Sequence, residues 1–207
     1  MEKKRKIKIL TIVFLIVAVL GLTVAFAAVA QKLTITGKAT ASKSTFDVYF
    51  ANLTSSVTRA EFTGEPPALP VAEKTTSFSY NVKMTGGIDE NKNNSSKVVI
   101  NFDVKNDSTV SAKLSSYTIG TPSCEAVNAE GGSVNVSNFC SQLKYTLVYK
   151  NGDSTTKVAE GLIIPKGESK SMILTLSYDI DNPSNLPAND VTISNLGVDM
   201  NFEQSTE

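Results

Sequence analysis

The residues with the plainest chemistry are Cys124 and Cys140, the only cysteines among 207 residues. They lie 16 residues apart in a Gly/Asn/Ser-rich stretch. That spacing is too wide for a C-x-x-C redox pair, so a structural disulfide in an oxidising compartment is expected. Closing such a loop contributes about 3 kcal/mol in the chain-entropy account. Oxygen-bearing side chains gather at Asp179, Asp181, Asn182, Asn189 and Asp190. These types can hold Ca²⁺, but their spacing fits no EF-hand loop, and a solvated turn is the expected reading, with no metal site assigned. The chain contains no histidine. Ser-His-Asp and Cys-His arrangements and the H-E-x-x-H zinc motif are therefore excluded. No Ser/Lys dyad is singled out by its spacing, so no catalytic residue and no cofactor are assigned, and the chain is not expected to be an enzyme. There is no Trp either, which weighs against sugar stacking on indole, although Tyr could serve.

The formal net charge of zero conceals an asymmetry. Lys3, Lys4, Arg5, Lys6 and Lys8 precede a long apolar run, whereas from Gln31 onward 15 basic residues face 19 acidic ones. A mildly acidic body with no basic cluster in its sequence excludes nucleic acid as an expected partner.

Ile9 to Ala30 is 22 residues without a charge. As a helix it would be about 33 Å long, enough to contact and cross a bilayer through residues 9–30. The preceding cations hold the N-terminus inside and send the remainder outward. Two small-x-small sites, Ala25-Phe26-Ala27 and Ala28-Val29-Ala30, end the run where a signal peptidase would cut. Residues 1–30 thus read as a signal peptide or membrane-anchor helix, with cleavage favoured, and residues 31–207 as a secreted or cell-surface domain.

That domain reads as strands. Apolar residues alternate with polar ones at Leu33 to Ala39, Phe46 to Phe50, Phe78 to Met84, Val98 to Val104, Leu143 to Tyr149, Met172 to Tyr178 and Val198 to Phe202. Period two marks a strand with one buried face, and no stretch after Ala30 shows a helical period. Asn151-Gly152 is expected to form a tight hairpin turn, since both residues accept positive φ, and Pro165-Lys166-Gly167 another reversal. Glu61 to Pro70 and Asp181 to Asp190 read as proline-bearing surface loops. Roughly eight to ten short strands at this spacing predict an all-β fold, an antiparallel β-sandwich of jelly-roll or Greek-key type preceded by the N-terminal apolar helix. The segment Glu125 to Phe139 holds Gly131-Gly132 and few apolar residues. It is expected to be a tethered loop at the sandwich edge, outside the core.

Three stretches carry a resemblance. The first runs from Ala27-Ala28-Val29-Ala30-Gln31-Lys32-Leu33-Thr34-Ile35 to Phe46-Asp47-Val48-Tyr49-Phe50-Ala51-Asn52-Leu53. The second is Phe102-Asp103-Val104-Lys105-Asn106-Asp107-Ser108 through Leu114. The third is Ile164-Pro165-Lys166-Gly167-Glu168-Ser169 leading to Leu174-Thr175-Leu176-Ser177-Tyr178. Together they resemble the TasA/camelysin family of exported proteins of Gram-positive bacteria, from whose fibre-forming members the cysteine pair departs. The resemblance implies a jelly-roll subunit, cut by a dedicated signal peptidase, that self-associates into biofilm-matrix fibres. It further implies that the freed N-terminal segment completes a neighbour's sheet, with Leu33, Ile35 and Ala39 filling the acceptor groove. Read without the resemblance, that segment is an ordinary first strand of its own domain. The alternative function is a monomeric cell-surface adhesin, anchored by an uncleaved helix and presenting the loops at 61–70 and 181–190.

Overall fold

Each alternating row from Phe46 onward becomes a strand in the computed structural model, which describes Val19 and residues 45–69, 74–86, 96–178 and 187–205. The chain divides into two units, Met1–Lys43 and Ser44–Glu207. Of the first, Val19 alone is described, and it is helical. The expected membrane segment at 9–30 and the alternating row at Leu33 to Ala39 otherwise lie outside the described residues. Among the described residues no helix is long and apolar enough to cross a membrane.

The second unit contains, in chain order, β1 (Val48–Thr58), β2 (Ala60–Phe62), β3 (Ser77–Met84), β4 (Ser96–Asn106), β5 (Ala112–Ile119), β6 (Ser123–Val127) and β7 (Ser133–Val134). There follow α1 (Ser137–Ser141), β8 (Lys144–Asn151), β9 (Ser154–Lys157), β10 (Ile163–Ile164), β11 (Ser169–Tyr178) and β12 (Val191–Gln204). One sheet has five strands in the order β1-β4-β11-β8-β9. The other has seven, ordered β10-β5-β12-β3-β2, with β6 beside β12 and β7 beside β6. Every pairing is antiparallel.

The two sheets pack face to face around one core, so the second unit is an all-β sandwich. Val98, Ile100, Phe102 and Val104 of β4 and Met172, Leu174, Leu176 and Tyr178 of β11 are each no more than 1% exposed. Burial of such side chains contributes about 1.5–3 kcal/mol apiece. Aromatic rings join the sheets: the Phe102 centroid lies 4.7 Å from that of Phe50 and 5.3 Å from that of Phe78 on the facing sheet.

A polar tie crosses the same core. The Tyr145 hydroxyl on β8 accepts the Gly197 N–H at 2.8 Å and donates to the Gly197 carbonyl at 3.2 Å, while the Tyr80 hydroxyl donates to the Tyr145 hydroxyl at 3.3 Å. Burial makes that complete pairing necessary, because an unsatisfied hydroxyl there would cost stability. Gly197 sits just past a register shift between Ile193 and Leu196 that divides β12 between β6 and β5. A Cβ at Gly197 would collide with the Phe78 carbonyl, and its φ of 152° suits glycine alone.

Four expectations are corrected. Twelve strands are present among the described residues against eight to ten expected; the additions are the short pieces β2, β6, β7 and β10. Glu61 and Phe62, expected in a loop, pair with Lys83 and Val82 as part of β2, because Phe62 can rest edge-on against Tyr80 at 6.0 Å. In the β8–β9 hairpin Asn151 pairs with Ser154, so the two-residue loop is Gly152-Asp153. Only Gly152 takes positive φ there, 61°, which is the primed-turn pattern with glycine first.

The fourth correction is the largest. The span between the cysteines is ordered and partly core. Asn128 Oδ1 accepts the Glu130 and Gly132 N–H groups at 3.1 and 2.6 Å, closing the β6–β7 hairpin. Asn135 Oδ1 accepts the Ser137 N–H at 3.0 Å in an Asx turn just before α1. Ala126, Val136 and Phe139 join the hydrophobic core, and the Phe139 ring lies 4.3 Å from that of Tyr178. Three inward-pointing apolar residues suffice, although Val127 of the same segment is 60% exposed.

Candidate functional site

The strands at the sheet margins differ sharply in what they leave open. β9 has four residues and ends in Lys157, β2 has three, and β10 and β7 have two each. Short or charged margins resist pairing with another chain. β1 is different: its 11 residues, Val-Tyr-Phe-Ala-Asn-Leu-Thr-Ser-Ser-Val-Thr, carry no charge and no proline.

Only the start of β1's outer side is closed. There the Phe50 N–H donates to the Thr75 carbonyl at 2.7 Å. From Ala51 to Thr58 no strand among the described residues pairs with that outer side. Thr54 to Thr58 are exposed, Val57 at 41%. A kink punctuates the strand: Asn52 takes φ 53°, and the register with β4 shifts between Ala51 and Thr54. The Asn52 side-chain amide donates to Asp103 Oδ2 at 2.8 Å, which holds the kink in place.

The chain enters β1 through a braced corner, where segments around Asp47, Asn106 and Pro165 meet. Asn106, fully buried, donates its side-chain amide to the carbonyls of Val110, Ile164 and Pro165 at 3.0, 2.9 and 3.2 Å. Its Oδ1 accepts the Ser108 N–H at 3.0 Å, and Ser108 Oγ accepts the Asp47 N–H at 2.7 Å. The Pro165 turn closes with a bond from the Glu168 N–H at 3.2 Å. Around this corner Tyr49 donates its hydroxyl to Asp107 Oδ2 at 2.6 Å, Lys105 pairs with Asp107 at 3.1 Å, and Lys74 pairs with Asp47. The Tyr49 hydroxyl, then Lys105, hold the Asp107 carboxyl below its ordinary range, while bonding to Asp47 raises Lys74.

The remaining expected site residues fall as follows. Cys124 on β6 and Cys140 on α1 are bonded, with Cα atoms 5.9 Å apart, so the disulfide pins the short helix to the seven-stranded sheet. Leu33, Ile35 and Ala39, and the cleavage-site residues Ala25, Ala27, Ala28 and Ala30, lie outside the described residues. So do Asp179, Asp181 and Asn182. Asp190 is engaged structurally: its carboxylate accepts the Gly86 N–H at 3.1 Å and faces Lys83 at 3.7 Å. Among the described residues no group of three or more Cys, Asp or Glu side chains is arranged to hold a metal.

A groove of about 570 Å³ lies beside β6 and the start of β12, lined among others by Lys83, Asn128, Asn189, Asp190 and Thr192. Sequence reasoning missed both this groove and the open margin of β1. The margin's sequence signal was available, an 11-residue strand without Lys, Glu or Pro, but its place at the end of a sheet was not. No protein-family model, no curated protein and no solved structure matches the chain.

Proposed function

We propose that this protein is an exported, TasA-like structural subunit of jelly-roll type that self-associates into an extracellular fibre by strand addition. One observation carries the reading: the uncharged outer side of β1, open from Ala51 to Thr58 among the described residues. Such a margin presents unpaired N–H and C=O groups in register for another strand. Its eight residues span about 26 Å, and the seven from Leu33 to Ala39 span about 23 Å as a strand, so donor and acceptor match in length. Leu33 to Ala39 precedes β1 in the sequence, and signal-peptide removal after Ala27 or Ala30 would free its N-terminal end. Negative-stain microscopy of the exported protein, with and without Gln31 to Thr40, tests this. Fibres are expected only from the intact form, and equal assembly of both forms would overturn strand donation.

The groove beside β6 favours a second reading, a monomeric surface adhesin held by its N-terminal helix, because its size suits a small ligand. Intact mass of the exported protein separates the two. A mass that includes residues 1–27 supports the adhesin.

A further inference from the structure

We infer that the two outer faces of the sandwich are complementary docking surfaces for successive copies of this chain, the five-stranded sheet of one stacking on the seven-stranded sheet of the next. Strand register sets each face. Lys97, Lys105, Lys144, Lys150 and Lys157 all stand on the side of the five-stranded sheet opposite the core, against Asp103 as the one strand acid there. Asp103 is itself engaged, accepting from Asn52 at 2.8 Å and from Ser171 at 2.7 Å. Lys97, Lys144, Lys150 and Lys157 are exposed and make no ion pair among the described residues. Between them Val99, Ile173 and Val148 form a half-buried apolar strip, Ile173 directly opposite Val148. An apolar centre with a charged rim is the anatomy of a protein interface.

The seven-stranded sheet shows the opposite sign. Glu61, Glu125, Asp199 and Glu203 stand on its outer face with Lys83 and Lys113. Both lysines are already spent, Lys83 on Glu61 and Lys113 on Glu203 at 2.9 Å. The surplus is negative. The five-stranded face measures about 24 Å by about 27 Å, or about 650 Å² for each partner, near the lower limit of specific interfaces. Because the basic and acidic faces are different surfaces of one molecule, the contact is heterologous and leaves a free face at each end, so copies add without limit. This inference rests on the self-association reading and adds a lateral contact to strand donation.

Charge reversal on the full exported chain tests it, with assembly read by sedimentation at about 0.02 and about 0.5 M salt, where screening differs severalfold in range. One variant carries Lys97→Glu, Lys144→Glu and Lys150→Glu, the other Glu125→Lys with Asp199→Lys. Each alone is expected to assemble at least about tenfold less well than the native chain at low salt, since like charges then face each other. Mixed in equal amounts, the two are expected to co-assemble, which also shows that both are folded. Native-like assembly of each variant alone, or no rescue on mixing, would overturn face stacking. If those variants assemble normally while removal of Gln31 to Thr40 abolishes assembly, strand donation stands and face stacking falls. A native chain that stays monomeric throughout would overturn both.

Discussion

Asn106 donates its side-chain amide to the carbonyl of Ile164 at 2.9 Å across 58 residues of sequence, and so fastens the turn after β4 to the turn before β11. The same amide group serves Val110 and Pro165. Asn106→Ala leaves these buried carbonyls without a donor, and a loss of about 3 kcal/mol is expected in a denaturant-unfolding experiment. Asn106→Asp keeps the shape but cannot donate when ionised, so it should cost at least as much at neutral pH and recover partly in acid. If both variants unfold like the native chain, the corner does not brace the entry to β1.

Phe139 ties the disulfide-closed segment to the core through its contact with Tyr178. Phe139→Ala opens a cavity and should cost about 3–5 kcal/mol. Replacing Cys124 and Cys140 by Ser should cost about 2–4 kcal/mol, with the β-sheet circular dichroism retained. The two effects should be less than additive when combined, because both loosen α1. A Phe139→Ala variant as stable as the native chain would show that α1 contributes nothing to the core.

Alkaline pH probes the Tyr80–Tyr145–Gly197 tie. Burial raises the hydroxyl pKa of both tyrosines, and of Tyr178. In the unfolded chain these phenols ionise near pH 10. Above that value the folded protein keeps protons that the unfolded chain loses, so stability is at its full value below about pH 10 and declines as pH rises further. Denaturant midpoints between about pH 8 and about pH 11, read beside tyrosinate absorbance, should show that fall. Tyr145→Phe should lower stability by about 1–3 kcal/mol at neutral pH, through loss of the bonds to Gly197. A flat alkaline profile would mean that these hydroxyls titrate freely.

The strands with strict alternation were legible from sequence because burial on one face writes itself as period two. Val98 to Val104 and Met172 to Tyr178 show it at every position but Val99 and Ile173, and the inward side chains of both rows are fully core. The span from Cys124 to Cys140 was not legible. Its order comes from single side chains, Asn128 closing a hairpin, Asn135 closing a turn before α1 and Phe139 reaching Tyr178, and no periodic signal records such contacts. The turn at Gly152 was placed one residue early because Asn-Gly satisfies the turn chemistry equally well, while the register that decides it is tertiary. The disulfide followed from composition alone. Neither the open margin of β1 nor the opposed charge of the two faces could be read in advance. Both depend on strand order, and the body's mild net acidity concealed a basic face.

Strand addition at β1 is tested most directly by hydrogen–deuterium exchange on residues 51–58, compared between the assembled and the monomeric exported protein. Amides of this stretch that point away from β4 lack a main-chain partner among the described residues and should exchange rapidly in the monomer. A donor strand would bond them, so their exchange is expected to slow at least about a hundredfold on assembly, as for amides inside a stable sheet. The same slowing should be absent in protein lacking Gln31 to Thr40. Unchanged exchange of residues 51–58 in well-formed assemblies would contradict the account.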